Sequence, residues 1–206
     1  MDVRRCLLVS IFFLVYGGFA SASAAPIIAC YGDSITAGYG LEAEQAYPAY
    51  LQHDLNKLGY QYDVRNLGTS GATTKDAVAG LHSLLALHPA VAIVEFGGND
   101  GLRGLPLSQT EKNLDALLSA LEGAHIRVLL AGITLPPNYG ADYIRQFNAM
   151  YRRVALRHRV AFMPMIYQDL IRQPGTLQND GIHPTAKGSE ILSRTVLRSL
   201  RPLLKK

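Results

Sequence analysis

Short apolar runs alternate along this chain with longer segments whose apolar residues recur at helical spacing. Ile27–Tyr31, Tyr62–Asn66, Ala90–Phe96, Arg127–Ile133 and Val160–Met165 read as strands. The third is Val-rich and strongly apolar, as suits a sheet covered on both faces. Between them, Ala46–Leu58 sets Tyr47, Leu51, Leu55 and Leu58 on one helical face and stops at Gly59. Thr74–Leu87 predicts a helix with its N-cap at Thr73 or Thr74 and Pro89 just beyond it. Gln109–Glu122 lines up Leu114, Leu117, Leu118 and Leu121, with Gly123 as a stop. Tyr139–His158 predicts a long helix and Thr185–Leu200 a closing one. Strand and helix alternate throughout, with no Pro/Ser-rich linker and no internal repeat. The order predicts a single three-layer α/β domain with a mainly parallel central sheet. Ligands of such sheets bind beyond the carboxyl ends of the strands.

The first two dozen residues do not fit that alternation. Met1–Arg5 is a short charged start, Cys6–Ala20 is almost wholly apolar, and two small-x-small triplets end at Ala22 and Ala24. That order predicts a secretory signal peptide over residues 1–24, cut after Ala24, with residues 25–206 as the domain in a periplasm or outside the cell. A retained membrane anchor fits less well. Ser10 and Gly17-Gly18 break the apolar stretch, which is shorter than the roughly 20 residues a spanning helix needs. No stable membrane insertion is therefore expected after cleavage.

Composition adds exclusions more than assignments. A formal net charge of +4 over 206 residues is modest and gives no support for nucleic-acid binding. Arg194, Arg198, Arg201, Lys205 and Lys206 cluster near the C-terminus, as solvated basic residues do at helix ends. Attraction to anionic lipid headgroups is the alternative for that cluster. Of two cysteines, Cys6 leaves with the signal, so Cys30 has no partner in the mature chain and reads as a buried thiol. His82 and His88 have no nearby cysteine or patterned carboxylate, and no metal site is expected.

Four segments just past predicted strands, or just before the last helix, carry candidate chemistry. Gly32-Asp33-Ser34 follows the first strand, where a tight turn into a helix presents a hydroxyl at the sheet's top edge. Alone it is an ordinary cap sequence. Asp180 and His183, three residues apart before the final helix, can share one turn in which the carboxylate orients the imidazole. Alone they are a solvated helix-entry loop. Gly71 offers an unobstructed backbone N–H and Asn99 a side-chain amide, which with the Ser34 N–H gives three donors for an oxyanion. Together the segments hold the inventory for acyl transfer through a covalent serine. The Gly-x-Ser-x-Gly elbow of α/β-hydrolases is absent.

Gly32-Asp33-Ser34, the block ending at Ser70-Gly71, Gly97-Gly98-Asn99-Asp100 and Asp180-Gly181-Ile182-His183-Pro184 stand in an order that resembles the SGNH (GDSL) hydrolase family. The resemblance runs from Ile27 to about Leu197. Glu95–Gly104 and Leu135–Gly140 look like its branch of bacterial thioesterase, lysophospholipase and arylesterase enzymes. It implies a flavodoxin-like sheet, Ser34 as nucleophile, His183 as general base, Asp180 as its partner, and Ser34, Gly71 and Asn99 as the oxyanion hole. It also implies that Gly101–Pro106 borders an acyl site, for which Leu102, Arg103, Leu105, Pro137 and Tyr139 are candidates, with Arg103 facing an anionic group. Gly68, where this branch often has serine, and Gly40-Leu41 depart from the pattern without touching the proposed machinery.

The expected function is hydrolysis of carboxylic esters and thioesters, lysophospholipids and aryl esters included, by a cofactor-free monomer acting on small-molecule acyl substrates. An acyltransferase or carbohydrate acetylesterase would keep the same machinery, since acceptor choice lies in pocket shape. A non-catalytic periplasmic binding module would share the strand-loop-helix pattern but has no need of Asp180 and His183 beside Ser34.

Overall fold

The computed structural model describes residues 24–205. Its sheet has five strands: β1 (Ile27–Gly32), β2 (Asp63–Gly68), β3 (Val91–Glu95), β4 (Arg127–Ala131) and β5 (Ala161–Met163). They lie in the order β2-β1-β3-β4-β5. Every pairing is parallel, where the sequence predicted only a mainly parallel sheet. The helices are α1 (Ser34–Ala37), α2 (Tyr47–Lys57), α3 (Thr74–Ala79), α4 (Leu81–Leu85), α5 (Gly98–Leu102), α6 (Leu107–Gly123), α7 (Ala141–His158) and α8 (Ala186–Leu200). They cover both faces of the sheet. α2 packs with α8, and α6 packs with α3 and α7.

That double cover explains the strand composition. Ile28, Ala29 and Cys30 of β1 and Val91–Val94 of β3 have no exposed surface. α2 turns Tyr47, Leu51 and Leu55 inward, each of which stabilises the fold by about 1.5–3 kcal/mol on burial. Leu58 lies past the end of α2 and is exposed, so it does not belong to the predicted apolar face.

The predicted helix over Thr74–Leu87 is two helices, divided at Gly80. The Tyr31 hydroxyl donates to the Ala77 carbonyl at 2.6 Å, the acceptor an unbroken helix would offer to residue 81. Gly80 makes room, because a Cβ there would lie 2.7 Å from the Tyr31 oxygen. Thr73 is the N-cap and forms a capping box with Asp76. The long predicted helix starts at Ala141, after a 3₁₀ turn over Pro137–Tyr139 and Gly140 at φ +88°.

Gly32 at the end of β1 sits in register with Gly68 of β2 and Glu95 of β3. The chain leaves β1 for β2 on one side and returns to β3 on the other, so the sheet's switch point lies here. Gly68 also packs tightly on α1. A Cβ on it would fall 2.1 Å from the Ala37 nitrogen, so serine would not fit this backbone unaltered.

The predicted signal peptide, residues 1–24, lies outside the described residues except for Ala24. Among the described residues, no helix is long and apolar enough to cross a membrane.

Candidate active site

Ser34 is the first residue of α1, reached directly from β1 through Gly32-Asp33. A side chain at Gly32 would meet Thr36 Oγ1 at 2.1 Å and Glu95 Oε2 at 2.7 Å, so only glycine permits the turn. Asp33 is the N-cap, its Oδ1 accepting from the Ile35 N–H at 3.0 Å.

His183 approaches from the loop before α8. Its Nε2 stands 2.9 Å from Ser34 Oγ and its Nδ1 2.6 Å from Asp180 Oδ2. With Nδ1–H donating to the Asp180 carboxylate, Nε2 is the acceptor for the serine proton. Asp180 Oδ1 accepts from the N–H groups of Ile182 (2.8 Å) and His183 (3.0 Å), which is how a three-residue spacing brings the pair together. Burial pushes the Asp180 carboxyl up, but hydrogen bonds from the His183 side chain and the two backbone groups outweigh it and hold it at about 2. The loop is fastened by Gln178, whose Nε2 donates to the Tyr39 and Pro184 carbonyls. The Tyr39 ring lies 4.5 Å from the imidazole.

Two further segments follow the ends of β2 and β3. Gly71 adopts φ +79° in the turn before α3. Asp100 anchors that turn from below, accepting from the Thr74 N–H (2.9 Å) and hydroxyl (2.5 Å). Asn99, in the first turn of α5, donates from Nδ2 to Asp33 Oδ2 (3.1 Å) and the Ala72 carbonyl (3.0 Å). Gly97 turns the chain into α5 at φ +114°, where a Cβ would lie 2.3 Å from the Tyr151 hydroxyl.

An apolar cavity of about 480 Å³ opens beside these groups, within the range of small-molecule sites. Leu102 and Pro137, two of the candidates for the acyl site, line it together with Ile133, Leu135, Tyr167 and Ile182. Arg103, Leu105 and Tyr139 are not among its walls. Arg103 donates from one guanidinium nitrogen to the Gly71 carbonyl at 2.9 Å. Tyr139 supports the wall by donating to the Leu102 carbonyl at 2.8 Å. Leu105 is exposed.

Sequence reasoning passed over Glu95, a carboxyl with no exposed surface at the end of β3. Its Oε2 accepts from the Thr36 hydroxyl (2.9 Å) and the Asp33 N–H (3.3 Å), and Oε1 has no partner. Burial, then the Asp33 charge, raises its pKa well above the ordinary value. Asp33 is itself pushed up to about 6 by burial, against hydrogen bonds from Ile35, Glu95 and Asn99. A charge in an otherwise apolar strand was the available signal. The cavity walls at Ile133, Leu135 and Ile182 gave none, since apolar residues near strand ends read as core.

Cys30 is buried, and burial pushes its thiol up to about 12, as expected of an inert cysteine. Among the described residues, no three His, Cys, Asp or Glu side chains gather as a metal site. Arg194 pairs with Glu190, and Arg198 with Asp169, so part of the C-terminal basic cluster is internally satisfied.

A family model for GDSL-like lipases and acylhydrolases matches residues 30–191, a span that contains all four segments. The chain belongs to that family. It is 40% identical over 183 residues to the esterase TesA of Pseudomonas aeruginosa, covering 88% of this chain and 91% of that one. It is 37% identical over 193 residues to the thioesterase 1/protease 1/lysophospholipase L1 of Escherichia coli, covering 93% and 91%. The crystal structure of TesA superposes with a TM-score of 0.83 at 40% identity, covering 86% of this chain and 99% of that one. The family shares both the all-parallel sheet and its flanking helices with this chain.

Proposed function

We propose that this family member is an exported, cofactor-free serine ester hydrolase, acting on carboxylic esters and thioesters of medium to long acyl chains. The observation that carries the reading is the Ser34–His183–Asp180 chain of hydrogen bonds, 2.9 and 2.6 Å, with an apolar cavity of about 480 Å³ lined by the adjoining residues Gly181 and Ile182. Ser34 Oγ attacks the acyl carbon as its proton passes to His183 Nε2, and Asp180 stabilises the imidazolium through Nδ1. The Ser34 and Gly71 N–H groups and the Asn99 amide hold the oxyanion. His183 returns the proton to the leaving alcohol or thiol. Water then attacks the acyl-serine, gives its proton to His183, and the carboxylic acid leaves as Ser34 regains its own.

The acyl chain occupies the cavity lined by Leu102, Leu135 and Ile182. A carbohydrate acetylesterase would have no use for that volume, which favours lipid-sized acyl groups, lysophospholipids included. Export is supported by the charged, apolar and small-residue order of residues 1–24. The chain is proposed to act as a monomer.

Turnover of p-nitrophenyl esters from acetate to palmitate tests the reading, with Ser34→Ala alongside. The expected result is activity peaking above acetate and lost by a factor on the order of 10⁶ in the variant. Equal turnover by both proteins would overturn it.

A further inference from the structure

Both protons on the Asn99 amide nitrogen are already committed, one to Asp33 Oδ2 at 3.1 Å and one to the Ala72 carbonyl at 3.0 Å. A donor so placed can serve an oxyanion only by releasing one of them. The two acceptors are not equal. An ionised carboxylate holds an amide proton roughly twice as strongly as a neutral carbonyl does. Ala72 is also the neighbour of Gly71, so the weaker bond points into the turn that supplies another oxyanion donor.

Asp33 is built to be the fixed end. It is 2% exposed. Its Oδ1 accepts from the Ile35 N–H, and its own N–H is shared between the Glu95 carbonyl (3.2 Å) and Glu95 Oε2 (3.3 Å). Gly98 keeps the approach open, since a Cβ there would stand 3.3 Å from Asp33 Oδ2. The carboxylate therefore touches no reacting atom, yet it joins the turn bearing Ser34 to the amide from β3's end.

We infer that Asp33 is a positioning residue acting through Asn99: its Oδ2 retains the amide nitrogen while the proton on the Ala72 carbonyl turns to the developing oxyanion. This rests on the proposed role of Asn99 as an oxyanion donor and specifies what aims it. No proton leaves or reaches Asp33 in the step.

A double-substitution cycle on p-nitrophenyl ester hydrolysis tests the inference. Asp33→Ser keeps a cap for the Ile35 N–H but has no second oxygen to reach Asn99. Asp33→Asn is the size-matched companion, read in the same cycle should the serine variant melt early. Each is expected to lower kcat by about 10- to 100-fold with KM within about twofold. Combined with Asn99→Ala, neither should slow the enzyme beyond Asn99→Ala alone. Losses that multiply in the double variants, or an unchanged kcat in both single ones, would overturn the inference and leave Asp33 as a cap only. Full activity in Asn99→Ala would instead remove the oxyanion role on which it stands.

Discussion

Glu95 is the residue whose chemistry contradicts its surroundings most openly. It ends a strand with no exposed surface, and one of its oxygens has no partner. Its folded-state pKa is raised by burial and by Asp33, so the native protein keeps a proton that the unfolded chain releases above about 4.5. For an acid raised on folding, the native state binds more protons, and stability falls as pH rises through that window. The slope is about 1.4 kcal/mol per pH unit. Glu95→Gln keeps the shape without the titration. Thermal melts should therefore show the variant gaining on the wild type as pH rises from 5 to 7. Parallel melting-temperature curves over that range would refute the account. Ser34, Gly71, Asn99, Asp180 and His183 were legible as candidates because each stands in a short motif with a distinctive neighbour, and hydrogen bonds join three of them, Ser34, His183 and Asp180. Asp33 and Glu95 were not, because their roles come from a contact between two strand ends 62 residues apart. Arg103 is a related case: its charge is visible in sequence, but not that it donates to the Gly71 carbonyl.

The helices show where local pattern stops being informative. α6 and α8 obey their apolar spacing closely. α3 and α4 do not read as two, because the break comes from a tyrosine 46 residues earlier. α5 escaped notice altogether, being five residues long and rich in glycine. That short helix nevertheless carries Asn99 at one end and the cavity-lining Leu102 at the other. Leu102→Ser should then weaken hydrolysis of long-chain esters by about tenfold relative to acetate, as loss of an apolar wall contact does. Leu105→Ser, three residues on and outside the cavity, should leave the chain-length profile unchanged. Identical profiles for the two variants would show that the acyl chain lies elsewhere.

At the scale of the molecule, strand and helix alternation was enough to predict three layers, but not the order of the strands. That order depends on which side of β1 each crossover returns, and nothing local encodes it. The outcome sets β1 between β2 and β3, so that turns from three strand ends meet over one glycine-lined edge. The loop before α8 then needs to bring only Asp180 and His183. The fold thus accounts for a site assembled from four distant segments, each unremarkable alone.

The most direct test of the proposed covalent serine is mass spectrometry of the protein after exposure to a fluorophosphonate, followed by peptide mapping. The account predicts one adduct per chain, on Ser34, absent in Ser34→Ala and formed far more slowly in His183→Ala. An adduct on another residue, or none while ester turnover persists, would contradict it.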